Sequence, residues 1–207
     1  MSLATRDGLV AAIIAHSFNS TIITTDLCAD FIAMTEAELS RELMVRGMTV
    51  RADAVIDAEY AAIPSDFQGE ISLRINDSNN TKLQFLAPDA FDKRINDFID
   101  TGAPRYFTII GSEFRFLPAP DQTYVGELIY WQGIPPLTDG SSSNWLLTKH
   151  PDVYLYGCLM HAAAFLKNMD DKAMYEGWFA AAISSIARSD ADEATGTALQ
   201  MTVGAVV

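Results

Sequence analysis

The side chains best suited to metal chemistry in this 207-residue chain are three histidines, and their spacing argues against a metal site. His16, His150 and His161 are far apart, and His161 lies in an apolar run with no Asp or Glu within one helical turn. A zinc site needs three or four nitrogen, sulfur or oxygen ligands brought together. We therefore interpret His161 as a packed residue and predict no metal site.

The serines and carboxylates that could act in catalysis also occur where a structural role is simpler. Serines 141–143 lie in a connector rich in proline, glycine and serine, and they lack the Gly-x-Ser-x-Gly context of a nucleophile elbow. We interpret the acidic pairs Glu36 with Glu38 and Asp170 with Asp171 as residues at helix starts, where negative charge favours the helix dipole. The glycines form no phosphate-binding loop. We therefore predict no enzyme activity, no catalytic residue and no cofactor.

The charge balance disfavours nucleic-acid recognition. Fourteen Lys and Arg stand against 27 Asp and Glu, which gives a formal net charge of −13. A field of this sign repels phosphate backbones, so sequence-specific DNA binding is not expected. The most apolar stretch, residues 153–166, is shorter than the roughly 20 residues that cross a bilayer, and the first eight residues lack the pattern of a signal peptide.

The same apolar stretch predicts the helix around which the other elements pack. Pro151 suits the first helical position and Asp152 suits the positive end of the helix dipole, so a helix should run from Pro151 to about Lys167. It has no clean polar face, so other elements must cover most of its sides. Apolar residues at helical spacing predict a second helix after Asp171, antiparallel to the first.

The order of the remaining elements predicts the fold class. Two helices are expected before Gly47, the second capped by Thr24 or Thr25. Alternating and β-branched residues predict strands between Thr49 and Trp131, with one short helix opening at Pro88. The predicted strands include Thr49–Ile56, Thr81–Leu86, Tyr106–Ile110 and Glu113–Leu117. The prediction is an α+β protein, in which N- and C-terminal helices form a bundle and the middle forms an antiparallel β-rich lobe.

The expected domain organisation follows from these elements. Residues 1–47 and 144–190 form the helical bundle, residues 48–133 form the β-rich lobe, and residues 134–143 connect them. Residues 191–207 form an extended C-terminal tail, in which residues 195–207 carry no charge. Because an apolar, β-prone end is awkward to leave in water, we expect it to dock on another chain or on its own β-lobe.

Several short motifs follow one another in a distinctive order and spacing. They are IPSDF at 63–67, GAPRYFTIIG at 102–111, IPPLTD at 134–139, NWLL at 144–147, PDVYLYG at 151–157 and AAFLK at 163–167. Together they resemble the adaptor, or head-to-tail connector, proteins of tailed bacteriophages, over about residues 26–187. The motif residues to which we assign a structural role are Trp145, Pro151, Asp152, Tyr154, Tyr156 and Phe165.

The resemblance implies a structural protein of the virion neck, made in the host cytoplasm. Adaptors of this kind complete the head: their copies bind the portal ring, usually as a ring of twelve, and extend the DNA channel at the capsid vertex. They present the surface on which the tail or its nozzle assembles, and genomic DNA passes through the lumen without sequence recognition. We expect a monomer alone, with portal or neighbour contacts in the tail at Leu199, Gln200, Met201 and Val203.

Two other functions remain open. A tail tube or tail completion protein would occupy a lower position in the neck, but it should be β-rich throughout instead of ending in paired helices. A small virion-associated enzyme would need a cleft with clustered ionisable residues, and the sequence shows no such cluster.

Overall fold

The computed structural model describes residues 3–17, 21–77, 80–98 and 100–200, and gives only the secondary structure of residues 194–200. Within this part the chain is mixed α and β, as the sequence predicts. It divides into two compact units. We call Met1–Gly47 with Ile134–Val207 the helical unit, and Met48–Gly133 the β unit.

The described residues form six α-helices and eight β-strands, with a short 3-10 helix at Arg46–Met48. The helices are α1 Arg6–His16, α2 Thr25–Glu42, α3 Pro88–Ile95, α4 Trp145–Lys149, α5 Pro151–Phe165 and α6 Met169–Gln200. The strands are β1 Thr49–Ile56, β2 Tyr60–Ala62, β3 Phe67–Ile75, β4 Thr81–Lys82, β5 Gln84–Phe85, β6 Tyr106–Ile110, β7 Glu113–Leu117 and β8 Tyr124–Gln132.

Local sequence signals explain where the helices of the helical unit begin. Thr5, Thr24 and Asn144 precede α1, α2 and α4, and each side-chain oxygen accepts a hydrogen bond from the backbone N–H three residues later. Such N-cap bonds satisfy donors that have no partner inside the helix. Pro151 occupies the start of α5, as predicted, where a backbone N–H is not needed.

The end of α2 differs from the prediction, which placed it near Gly47. The helix ends at Glu42, and the backbone of Leu43 is extended. Leu43 and Val45 are buried while Met44 between them is exposed. The chain leaves the helix at Leu43 because an extended backbone buries alternate residues, as these apolar side chains require.

Helix α5 lies at the centre of the helical unit. It contacts α1, α2, α4 and α6, and most of its side chains are buried. Close packing requires a glycine in this helix, since a Cβ atom on Gly157 would lie 2.5 Å from Thr35 Cγ2 of α2 and 2.9 Å from Phe179 Cε2 of α6. Side chains of α2 and α6 therefore pack directly against the backbone of α5 at Gly157.

Helix α6 continues further than the sequence predicts. Residues 191–207 were expected to be an extended tail, whereas α6 runs to Gln200. Residues 191–200 include three alanines and no proline, and the single Gly196 costs a helix only about 1 kcal/mol. The prediction gave too much weight to the β-branched residues among 202–207, which lie outside the described part of the chain.

The β unit contains two four-stranded sheets. Their strand orders are β1-β8-β3-β4 and β2-β7-β6-β5. Leu73 and Leu128 of the first sheet share a buried apolar cluster with Phe107, Phe114 and Phe116 of the second. Gly111 has a φ of 62° in the turn between β6 and β7, a conformation that glycine adopts without strain.

The β unit is not wholly antiparallel, which corrects the sequence prediction. Residues 81–86 were expected to form one strand, but they divide into β4 of one sheet and β5 of the other, with Leu83 buried between them. Strands β5 and β6 are parallel, and α3 lies in the connection between them. A parallel pair needs a long crossover, which the residues around α3 supply.

Candidate functional site

A buried polar network at the centre of the helical unit joins three of its segments. The Tyr154 hydroxyl of α5 donates to Glu36 Oε1 of α2 at 3.1 Å and accepts from Asn144 Nδ2 at 2.7 Å. The Leu137 N–H also donates to Glu36 Oε1, at 2.9 Å. Asn144 Nδ2 donates to the Pro135 carbonyl at 2.8 Å. The network fixes residues 135–144 against α2 and α5.

Burial governs the ionisation of this network. Removal from water raises the pKa of Glu36, although the hydrogen bonds from Leu137 and Tyr154 act in the opposite direction. Burial also raises the pKa of Tyr154 well above its ordinary value. Tyr154 therefore stays a neutral hydrogen-bond donor at physiological pH. This arrangement suits a structural connection better than proton transfer.

The first three motif residues lie at helix starts. Trp145 is the first residue of α4, and its indole ring covers Gly47. A Cβ atom at position 47 would lie 3.1 Å from this ring. Pro151 and Asp152 open α5, where Asp152 is exposed at the positive end of the helix. These positions explain the three residues through local structure and packing.

The aromatic motif residues of α5 contact different helices. The Tyr156 ring lies 5.4 Å from the Trp178 ring, and Tyr175 lies 5.6 Å from the same indole. The Phe165 ring is exposed at the end of α5, 6.0 Å from Phe31. Tyr154, by contrast, is completely buried.

One side of α6 is exposed and nearly free of charge. We call this the exposed α6 face, and it consists of Met174, Trp178, Ala181 and Ser185. Trp178 is 47% exposed at its centre. Between Glu176 and Arg188 the helix carries no charged residue. A large aromatic side chain among small neighbours is typical of a protein contact surface.

Sequence reasoning misassigned the acidic pair of α2. Glu36 is buried in the middle of the helix instead of lying at its start, and Glu38 Oε2 lies 3.4 Å from His161 Nε2 of α5. The pKa of His161 is lowered, chiefly by burial, while Glu38 acts in the opposite direction. The spacing of Phe31, Ile32 and Leu39 places Glu36 on the buried side, and this signal could have identified it.

The predicted contact residues at the end of the chain are only partly described. Leu199 and Gln200 lie at the end of α6, where the side chains are outside the described part, and Met201 and Val203 lie wholly outside it. Towards the end of α6, the last side-chain contacts that the structure describes are with Arg46. The Arg46 guanidinium donates to Asp190 Oδ1 at 2.9 Å and to Glu193 Oε2 at 2.8 Å. Binding by these four residues stays a prediction.

The residues that the structure describes contain no group of three or more His, Cys, Asp or Glu that could hold a metal ion. Within the same residues, none of the helices has both the length and the apolar character needed to cross a membrane. Cys28 and Cys158 are free and buried. Burial raises the pKa of both thiols, that of Cys158 to about 12, so neither is a reactive thiolate at neutral pH.

Comparison with known families gives one match that covers almost the whole chain. The model of the SU10 adaptor protein family matches residues 5–202. No curated protein matches the chain.

Proposed function

The chain belongs to the SU10 adaptor protein family, a family of phage head-to-tail adaptors, and from this we propose how it acts in the virion neck. Copies of the chain bind the portal ring, extend the DNA channel at the capsid vertex and provide the surface on which the tail or its nozzle assembles. The observation that carries this proposal is the family match over residues 5–202.

The composition of the chain is compatible with a DNA channel. Its formal net charge is −13. Carboxylates that face a lumen repel the phosphate backbone, so DNA would move past them without lasting contacts. We propose that the genome passes through the ring in this way and is not recognised by sequence.

The helical unit supplies the rigid part of the proposed adaptor. We propose that its N- and C-terminal helices act as one bundle around α5, which contacts helices from both ends of the chain. In this account Glu36, Asn144 and Tyr154 hold residues 135–144 in place, and Trp145, Pro151 and Asp152 shape the start of the two helices that follow. These residues maintain the shape of the unit and do not themselves contact the portal.

We assign contacts with other proteins to two regions of the chain. The exposed α6 face offers an aromatic centre, and the end of the chain around Leu199, Gln200, Met201 and Val203 offers an uncharged segment. We propose that the copies form a ring of twelve on the portal through contacts of this kind. In such a ring one patch of each copy meets a different patch of the next.

The order of assembly tests the proposal. Purified portal rings are mixed with tail or nozzle protein, with and without this chain, and the complexes are separated by size. We expect the tail protein to join the portal only when the chain is present. If the tail protein binds the bare portal and the chain binds only the tail, the chain belongs lower in the neck, as a tail completion protein would.

A further inference from the structure

Within the described part of the β unit, one edge of the first sheet is only partly paired with another strand. Strand β4 pairs with β3 only at Arg74 and Ile75, and the Leu83 N–H then donates to the Leu73 carbonyl at 2.9 Å. Among the strands that the structure describes, none pairs with the outer edge of β3 from Phe67 to Ser72. Backbone groups along this edge can therefore pair with an added strand.

An apolar groove lies beside this partly paired edge. It has a volume of about 330 Å³ and lies between β3 of one sheet and β5 of the other. Its apolar lining consists of Ile71, Leu73, Leu83, Phe85 and Phe107. Ile71 is 40% exposed and Phe85 is 44% exposed, so two large side chains at the groove are open to a partner.

An irregularity in β3 explains why Ile71 is exposed. Glu70 pairs with Tyr130 and Ser72 pairs with Ile129, so Ile71 is an extra residue between consecutive partners on β8. A bulge of this kind turns a side chain away from its regular direction. Here the result is an exposed isoleucine on an open sheet edge, which ordinarily attracts another strand.

The sequence itself contains a segment that matches the groove. Residues 201–207 follow the last described residue in the sequence, carry no charge and no proline, and include Thr202, Val203, Val206 and Val207. β-branched residues favour strands. Seven residues reach roughly 23 Å when extended, which exceeds the length of the open edge of β3 at about 3.3 Å per residue.

We propose that residues 201–207 of one copy add as a strand to the outer edge of β3 in the neighbouring copy, with alternate side chains in the groove. A heterologous ring requires two different patches on each copy, one that reaches out and one that receives. The chain's last segment and the groove form such a pair. This inference deepens the proposed function, on which it rests for the arrangement of copies side by side.

Disulfide trapping between two full-length variants assembled on purified portal rings tests this contact where the copies lie side by side. An Ile71→Cys chain is mixed with a tagged Val203→Cys or Val206→Cys chain under mildly oxidising conditions, and crosslinked heterodimers are counted. The two tail positions have opposite parity along a strand, so one of them faces the groove. Cys28 and Cys158 do not interfere, because both are fully buried.

The control replaces Ile71→Cys by Val125→Cys, since Val125 is 54% exposed on β8 and does not line the groove. We expect at least tenfold more heterodimer with Ile71→Cys than with this control for one of the tail positions. Adding Phe85→Lys to the Ile71→Cys chain should lower the yield to the control level, since a charge then lies against the apolar segment.

Two results would overturn the inference. The first is a heterodimer yield no higher than that of the Val125→Cys control at both tail positions. The second is an intramolecular disulfide in a chain that carries both cysteines, formed at a rate that does not depend on protein concentration. That result would place residues 201–207 on the β unit of their own chain. Co-sedimentation of the unmodified chain with the portal tests the proposed function separately, so either idea can fail alone.

Discussion

Tyr154 provides the most direct test of the structure at the scale of a single residue. Its hydroxyl is buried and takes part in two hydrogen bonds, one with Glu36 and one with Asn144. The Tyr154→Phe variant should lower the free energy of unfolding by about 1–3 kcal/mol, since polar groups are left in the interior with one partner fewer. Denaturant unfolding measures this difference.

The matched control is Tyr156→Phe on the same helix, where the ring is half-buried and lies tilted against Trp178. This change keeps the ring contact and should alter the stability by less than about 0.5 kcal/mol. Equal losses in the two variants would show that the network around Tyr154 contributes little.

Glu36 should give the stability of the protein a distinct pH dependence. Burial raises its pKa in the folded state above the ordinary value of 4.5, so the folded state favours the protonated carboxyl. The stability that Glu36 contributes is therefore greatest below pH 4.5 and is lost as the pH rises through the folded-state pKa. The Glu36→Gln variant lacks this dependence.

The melting temperatures of the wild type and of the Glu36→Gln variant, measured from pH 4.5 upward, show this pH dependence of stability. We expect the difference between the wild type and Glu36→Gln to shift in favour of the variant as the pH rises. The exposed Glu42→Gln change at the end of the same helix serves as the control. A difference that stays constant with pH would show that Glu36 ionises as freely in the folded state as in the unfolded chain.

Sequence reasoning found many of these residues but not how they interact. The motif of residues 151–157 marked Tyr154, and its position in an apolar run indicated burial. The partners Glu36 and Asn144 lie 118 and 10 residues away along the chain. Hydrogen bonds across such distances depend on how the helices pack, and local spacing does not encode that packing.

Two glycines of neighbouring helices make a matched pair of predictions at the scale of the elements. Gly157→Ala in α5 should destabilise the protein by about 1–3 kcal/mol, because its Cβ meets Thr35 and Phe179 well inside contact distance. Gly177→Ala in α6 has open space around the new Cβ and should stabilise the helix by up to about 1 kcal/mol.

Thermal unfolding of the two alanine variants measures both effects. If Gly157→Ala unfolds at the wild-type temperature, the three helices do not pack as closely as the structure shows. If Gly177→Ala destabilises the protein, then the surface of α6 at Gly177 is covered.

The end of the chain should be needed for assembly and not for folding. Deletion of residues 195–207 leaves the contacts of Arg46 with Asp190 and Glu193 in place, so circular dichroism and melting temperature should change little. Ring formation on the portal should be lost, because the segment that joins neighbouring copies is gone. Replacing residues 201–207 by an equally long Gly/Ser segment is the control for chain length.

Portal-bound rings that form equally well from the truncated chain would contradict this assignment. In that case the exposed α6 face becomes the stronger candidate for the contact between copies, and Trp178→Ala would be the next variant to test.

Periodicity predicted most elements but not all of their partners. Strands β1, β6 and β7 have the predicted bounds, since alternation and turn residues mark both ends of each. The division of residues 81–86 between two sheets was missed, as was the parallel pairing of β5 with β6. Both depend on the burial of Leu83 and the position of α3, which are tertiary effects.

At the scale of the whole molecule, the α+β class followed from the order of helices and strands, while the function followed from the family. The helices that begin and end the chain share the helical unit, and the strands between them form the β unit. Neither composition nor packing indicates a portal as partner. That step rests on the family match, and it needs a test on the assembled particle.

The measurement that tests the central claim most directly is native mass spectrometry of the purified chain, alone and mixed with the portal ring of the same virus. We predict a 22.7 kDa monomer alone, and a portal complex heavier than the bare portal by twelve copies of this chain. No mass increase on an intact portal ring would contradict the adaptor account and direct the search for a partner to the tail proteins.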